Sequence, residues 1–282
     1  MDAYVPLDKS WIIRMGMLDI VNGYDDIHHF LDAQSNLGAD LEALKRVAFA
    51  WRTDRPLEVG ESGTLLRFVM FACWRMNMKR VVVKESTLLT RPITDDPSIV
   101  DWSQQRLLKL DNGTSQWASA AVLLGDKARL AKPPFKLQVT YDAVKHWNEA
   151  RDYGRAWEPR VDQTISRQAD AFVCFLNKQK YDFVPEQAED FCFAYFFGFI
   201  KPTEGEKKWP SLRGHESDRI VESVESLERA RAGEVILSKD HRVVQGLAMW
   251  GVLFKRRVTF KHPEAVAKSW PRFWEFLTTV NI

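Results

Sequence analysis

Apolar windows of helix length alternate with short β-rich windows along these 282 residues, and this alternation constrains the fold more than any other feature. Ser62–Met76 is an apolar helix window opening at GESGT, and Ser115–Leu124 is a second that stops at Gly125. Arg242–Leu253 is a third, Gln187–Phe197 is aromatic-rich, and Ala265–Val280 closes the chain. Ser217–Ala230 is amphipathic with mixed charge, and within Leu18–Leu37 either Asp25 or Asp26 caps a helix ending near Gly38. Lys79–Val83 reads as a strand, as do Ala169–Phe175 and Tyr181–Val184 around an NKQK turn. Lys136–Thr140 is a strand end or the start of the next helix, and Asn148–Pro159 and Lys201–Gly214 read as the longest loops. Interleaved helices and strands define an α/β class without fixing its topology.

The composition is globular, with 45% hydrophobic and 28% charged residues, and eleven Trp and seventeen Phe supply core surface. A net charge of +2 gives no electrostatic footprint for nucleic acid. Phe191–Ile200, among the longest apolar stretches, is far shorter than a bilayer span of about 20 residues. Cys73, Cys174 and Cys192 form no CxxC pair and lie in apolar runs, as expected of buried thiols in a reducing compartment. The beginning of the chain has no basic segment followed by an apolar one, so a cytoplasmic protein without membrane partner is expected. His28 and His29 are adjacent and point apart on a helix, so no metal site is expected there.

Four clusters carry candidate chemistry. Lys9 and Ser10 precede Arg14 by one helical turn, placing cations near the free N–H groups of a helix start, where an anion binds. Gly60, Glu61, Ser62, Gly63 and Thr64 lead into a helix with Arg67 one turn in; the glycines let backbone approach a ligand closely. Thr114, Ser115 and Gln116 offer two hydroxyls and an amide at a helix start. Finally His215, Glu216, Ser217, Asp218 and Arg219, then Asp240, His241 and Arg242, then Lys268 place cations near three helix starts. A cation there opposes the helix dipole, and its recurrence points to a bound anion that offsets it. Each cluster alone reads equally as an ordinary capped helix with surface charge.

Together, and in this order, these pieces resemble the 5-enolpyruvylshikimate-3-phosphate (EPSP) synthases. The family's K-S-x-x-x-R is matched by Lys9, Ser10 and Arg14, and its G-[NS]-[AS]-G-T-x-x-R by Gly60, Ser62, Gly63, Thr64 and Arg67. Its R-P is matched by Arg91 and Pro92, and its S-S-Q by Thr114, Ser115 and Gln116. Its K-E-[ST]-D-R is matched from Glu216 to Arg219, its D-H-R by Asp240, His241 and Arg242, and its K-[TS]-[FW]-P from Lys268 to Pro271. Val184, Pro185 and Glu186 stand where the family reads I-P-D.

The resemblance implies a two-domain fold built from repeated βαβαββ units, with about one unit missing from the second domain. Residues 10–183 would form the first, inserted domain, and 1–9 with 184–282 the reduced second, with the active site in the cleft between them. It implies a transferase of the shikimate pathway, in aromatic amino acid biosynthesis, that moves the carboxyvinyl group of phosphoenolpyruvate to the 5-hydroxyl of shikimate 3-phosphate and releases phosphate. By the same resemblance Lys9, Gly63, Arg91, Gln116, Arg219, Arg242 and Lys268 would bind phosphoenolpyruvate. Ser10, Arg14, Thr114, Ser115, Gln116, Glu186 and His215 would bind the acceptor, with Glu186 as base and Glu216 and Lys9 moving protons at the methylene. No cofactor, metal or nucleic acid is implied, and a monomer is expected. Gly63 stands where the family admits glyphosate.

Departures fall mostly on the acceptor side. Glu186 replaces Asp, His215 replaces Lys, Glu61 stands where Asn is usual, and Pro133, Pro134 and Phe135 replace a Ser-containing phosphate motif. They leave two alternatives: an enolpyruvyl transferase-like enzyme on a different cyclic alcohol, and a non-catalytic derivative of the family.

Overall fold

The computed structural model describes residues 4–110, 115–125, 137–213 and 218–280. The chain forms two compact units: Leu7–Arg160, and Met1–Pro6 with Val161–Ile282. The sequence reading divides the chain at 9/10 and 183/184, whereas the units divide at 6/7 and 160/161. The segment from 161 to 183 goes with the C-terminal unit because its helix packs on that unit's central helix.

In Leu7–Arg160 the central element is α1 (Lys9–Asn22). Every residue from Trp11 to Ile20 is buried, so this helix is enclosed rather than amphipathic. The Asp8 side chain caps it by accepting from Trp11 N at 3.0 Å, and Gly23, with φ of 78°, ends it in the left-handed conformation. Against it pack α2 (Asp26–Asp32), α3 (Ala39–Trp51), α4 (Gly63–Arg75), α6 (Gln116–Leu124) and α7 (Gln138–Asp152), while α5 (Gln104–Leu110) packs on α6. Gly16 permits the close approach: a Cβ there would lie 2.9 Å from both Ile27 Cγ1 and Leu44 Cδ2. Strands β1 (Leu57–Gly60) and β2 (Val82–Lys84) pair in parallel, Leu57 opposite Val82, with α4 as the crossover.

Asp19 holds α1, α2 and α7 together. It is fully buried; Oδ1 accepts from Trp147 Nε1 at 2.8 Å and Arg151 Nη2 at 2.6 Å. Oδ2 accepts from Trp157 Nε1 at 2.7 Å and Ile27 N at 3.0 Å. Arg151 also pairs with Asp26 at 2.6 Å and lies 3.8 Å over the Tyr24 ring.

The C-terminal unit is built the same way around α12 (His241–Leu253), which is buried from His241 to Gly251. On it pack α8 (Gln163–Leu176), α9 (Phe191–Phe196) and α11 (Arg219–Ala232). Helices α10 (Pro202–Lys208) and α13 (Phe273–Val280) complete the unit, and Ile236 and Phe260 form an isolated parallel bridge. Tyr4 O accepts from Trp270 Nε1 at 2.7 Å and ties the N-terminal segment to this unit. Here Asp190 is the buried carboxylate. It accepts from Arg167 Nη2 at 2.9 Å, Gln168 Nε2 at 3.0 Å, Glu186 N at 2.8 Å and Gln187 N at 3.0 Å.

The structure corrects the strand content. Ala169–Phe175 lies inside α8, because Ile165, Ala169 and Phe172 recur at helical spacing behind an Asp162 cap that accepts from Ile165 N at 2.9 Å. Tyr181–Val184 takes no regular structure, α7 begins at Gln138 and takes up the first part of the expected loop as far as Asp152, and α10 occupies part of the other. Among the described residues the sheet consists of one parallel pair and one bridge. The chain is therefore helix-rich with a small sheet, and repeated βαβαββ units are not traced. Among these residues no helix is long and apolar enough to cross a membrane.

Asp19→Ala leaves Arg151 and two indole N–H groups without their buried acceptor. The expected loss is about 3–5 kcal/mol in the Leu7–Arg160 unit, measured by denaturant unfolding.

Candidate functional site

Two clusters of polar side chains gather at helix starts, one in each unit. In Leu7–Arg160 the first forms where α4 begins. Ser62 caps α4 by accepting from Leu65 N at 3.4 Å, and Gly63 is its buried first residue. One turn on, Arg67 Nη1 donates to Gly63 O at 3.0 Å and to Gln116 Oε1. A Cβ on Gly63 would lie 3.1 Å from Arg67 Nη1, 3.4 Å from Arg91 Nη1 and 3.8 Å from Gln116 Oε1. Glycine thus leaves room where two guanidinium groups and an amide converge. Gln116 opens α6 directly after Ser115, and the Arg67 guanidinium lies 5.9 Å from the Trp117 ring, itself stacked on Trp74.

Gly63, Arg91 and Gln116 are therefore brought together. Arg67, a motif position that the sequence reading does not count as a ligand, joins them. Its signal is the arginine at one helical turn from Gly63.

The α1 residues have protein partners of their own. Lys9 Nζ pairs with Asp40 Oδ2 at 2.9 Å. Arg14, only 8% exposed, donates from Nε to Thr140 Oγ1 at 2.8 Å and from Nη1 to Ser10 O at 2.7 Å. Thr140 in turn donates to Ser119 Oγ at 3.0 Å. Burial lowers the Arg14 pKa to about 10, opposed by the Asp8 charge.

The second cluster joins α11 and α12 in the C-terminal unit. Asp240, 6% exposed at its side chain, caps α12. Its Oδ1 accepts from Arg242 N at 2.8 Å and its Oδ2 from Arg219 Nε at 2.8 Å. Burial opposes ionisation of Asp240, yet the Arg219 guanidinium, His241 and the donated bonds hold its carboxyl well below the usual carboxylate range. Burial likewise opposes the Arg219 charge, and Asp240 outweighs it, so the Arg219 pKa is raised.

Arg242 is 6% exposed, and its Nε and Nη1 have no hydrogen-bond partner among the described residues. Buried guanidinium donors at a helix N-terminus suit an oxyanion as acceptor. One turn further, Gln245 Nε2 donates to Val266 O at 3.3 Å and Ser269 Oγ at 3.1 Å, tying the segment that carries Lys268 to α12. The structure thus joins Arg219 and Arg242 through Asp240 and anchors Lys268 to the same helix.

Glu186 lies in this unit. Its side chain is 62% exposed, and Oε2 pairs with Arg167 Nη1 at 2.8 Å. Thr114, His215 and Glu216, with Pro133, Pro134 and Phe135, lie outside the described residues. Burial pushes the Cys73 thiol up to about 11 and Cys192 up to about 12, which removes both as thiolate nucleophiles. Among the described residues no group of three or more His, Cys, Asp or Glu side chains could hold a metal ion.

Residues 211–277, which contain the second cluster, match the family EPSP synthase (3-phosphoshikimate 1-carboxyvinyltransferase). A 3-phosphoshikimate 1-carboxyvinyltransferase of Clostridium perfringens (strain 13 / Type A) is 36% identical over 73 residues, 26% of this chain and 16% of the relative. One of Aquifex aeolicus (strain VF5) is 31% identical over 88 residues, 24% of this chain and 20% of the relative. The chain thus spans a fifth or less of the length of these relatives. No solved structure matches it. The C-terminal segment is thus similar to the transferase family EPSP synthase, over the stretch that carries Arg219, Asp240, Arg242 and Lys268.

Removing Asp240 and removing Arg242 should have opposite consequences. Asp240→Ala leaves the buried Arg219 guanidinium without its carboxylate and the Arg242 amide without its cap, and is expected to cost about 3–5 kcal/mol at pH 7. Because the Asp240 pKa is depressed on folding, its contribution is complete above the ordinary Asp value of about 3.9 and is lost as pH falls through the folded value, so the gap to wild type narrows in acid. Arg242→Met removes a buried, partly unsatisfied charge and should leave the unfolding free energy within about 1 kcal/mol of wild type, or above it. Denaturant titrations at pH 7 and pH 3 check both.

Proposed function

We propose that the chain is an EPSP synthase-like enolpyruvyl transferase that moves the carboxyvinyl group of phosphoenolpyruvate to the 5-hydroxyl of shikimate 3-phosphate. The observation that carries this reading is Arg242: a buried guanidinium with two nitrogens unpartnered among the described residues, inside the segment that matches the family. Phosphoenolpyruvate brings a phosphate and a carboxylate. Arg219, Arg242 and Lys268 would receive them, and by the resemblance Gly63, Arg91 and Gln116 are further candidate ligands. Arginine suits this task because its planar fork binds either anion through two hydrogen bonds.

In the proposed reaction the acceptor hydroxyl adds to C2 of phosphoenolpyruvate while C3 takes up a proton. The tetrahedral adduct then expels phosphate and loses a proton from C3, restoring the double bond. Glu186 would take the hydroxyl proton, and Glu216 and Lys9 would exchange protons at C3. The cations would stabilise charge on the departing phosphate. Ser10, Arg14, Thr114, Ser115 and His215 would hold the acceptor. Arg14 favours a second reading with a different cyclic alcohol, since an acceptor carboxylate would have to displace its bonds to Thr140 and Ser10 O.

Phosphate release is measured with phosphoenolpyruvate and shikimate 3-phosphate together and singly. Release requiring both, reduced by about 10²-fold or more in Arg242→Met, is the expected result. Binding of phosphoenolpyruvate with release only on another cyclic alcohol selects the second reading. Failure to bind phosphoenolpyruvate overturns both.

A further inference from the structure

Behind the Arg219–Asp240–Arg242 cluster lies a second layer that the proposed chemistry does not use. Glu222 follows Arg219 by three residues on α11 and therefore shares its face. Ser238 Oγ donates to Glu222 Oε2 at 2.7 Å and accepts from Asp240 N at 3.0 Å. The first turn of α11 is thus fastened to residues 238–240 by two rungs: Arg219 to Asp240 and Glu222 to Ser238.

The second rung is costly by itself. Burial raises the Glu222 pKa, and Asp240 and Asp218 oppose its charge, against the stabilising bond from Ser238 and the charge of Arg219. A half-buried carboxylate facing two others is a poor choice for stability alone, because an apolar side chain would fill the volume without the desolvation penalty. What the rung does is geometric. Asp240 is held from behind by its own N–H and in front by its two carboxylate oxygens. Its orientation sets where the Arg219 guanidinium lies and where α12 begins with Arg242.

We propose that Glu222 and Ser238 are positioning residues of the anion site: by fixing Asp240 they aim Arg219 and Arg242 at a phosphate or carboxylate group of the ligand. The ligand's identity as phosphoenolpyruvate rests on the function proposed above; the aiming of two arginines at an anion does not.

The test is calorimetric titration of the full chain with inorganic phosphate and with phosphoenolpyruvate, alongside thermal unfolding. Ser238→Ala is expected to weaken both ligands by about tenfold, the scale of one well-placed hydrogen bond. Ser238→Thr, which keeps the hydroxyl, should restore both to within about twofold of wild type. Glu222→Leu guards against a folding failure: it keeps the volume and removes a disfavoured carboxylate, so its melting temperature at pH 7 should not fall, while binding weakens as in Ser238→Ala.

Variants that melt lower yet bind both ligands like wild type would mean a purely structural rung, overturning the inference and leaving the proposed function standing. Wild type that binds phosphate but not phosphoenolpyruvate, with phosphate weakened by Ser238→Ala, would retain the positioning role and remove the proposed function. Binding of neither ligand by wild type overturns both.

Discussion

The ion pair between Arg219 and Asp240 fixes more of the candidate site than any other interaction. At 2.8 Å and with a carboxylate 6% exposed, it holds the first residue of α11 against the cap of α12. Asp240 also accepts the Arg242 amide, so one side chain caps a helix, neutralises a cation and registers two helices against each other. A buried carboxylate is tolerated only where its oxygens are fully used, and the same solution recurs at Asp19 and Asp190. Each carboxylate draws donors from separate segments and converts the cost of burying charge into a requirement that those segments meet.

These hubs also explain why both units centre on a helix buried along nearly its whole length. Helix α1 has no solvated face on which an amphipathic stripe could turn, so apolar contact alone would leave its rotation loosely specified. Asp19 fixes it by receiving Trp147, Arg151 and Trp157 from one side. In α12 the corresponding constraint sits at the N-terminus, at Asp240, with Gln245 binding Val266 O and Ser269 one turn later. Uniqueness of packing comes from the polar groups, and most of the burial energy comes from the apolar residues around them.

The start of α4 and the stop of α6 were legible in the sequence because they depend on neighbours in the chain, whereas the helix expected to end near Gly38 stops at Asp32 and α3 was not read. Ser62 caps α4, Gly125 ends α6 and Asp218 caps α11, each by local chemistry. Ala169–Phe175 was misleading because β-branched and aromatic residues satisfy either period, and the decision fell to the Asp162 cap and to packing on α12. The resemblance put Lys9, Gly63, Arg91, Gln116, Arg219, Arg242 and Lys268 around one ligand; the grouping of Gly63 with Arg91 and Gln116, and of Arg219 with the start of α12, comes from the structure. The carboxylates that organise these groups were not legible. Asp19 meets partners 128 to 138 positions away, and no local pattern distinguishes it from a surface aspartate. Asp240 was visible only as a motif letter, and Asp40, the partner of Lys9, carried no signal in the sequence reading.

Where local rules are broken matters more than where they are kept. Glycine is a poor residue for a helical position, yet Gly63 occupies the first turn of α4, and a methyl group there would press on Arg67 and Arg91. Buried donors are almost always satisfied, yet Arg242 keeps two nitrogens without partners among the described residues. A carboxylate is disfavoured in a half-buried position beside another, yet Glu222 stands behind Asp240. These three exceptions lie at the two clusters; others, such as Gly16 inside α1 and the Arg151 Nε donor without a partner among the described residues, lie in the core. The three at the clusters have in common that they leave space, positive charge or orientation available for an anion.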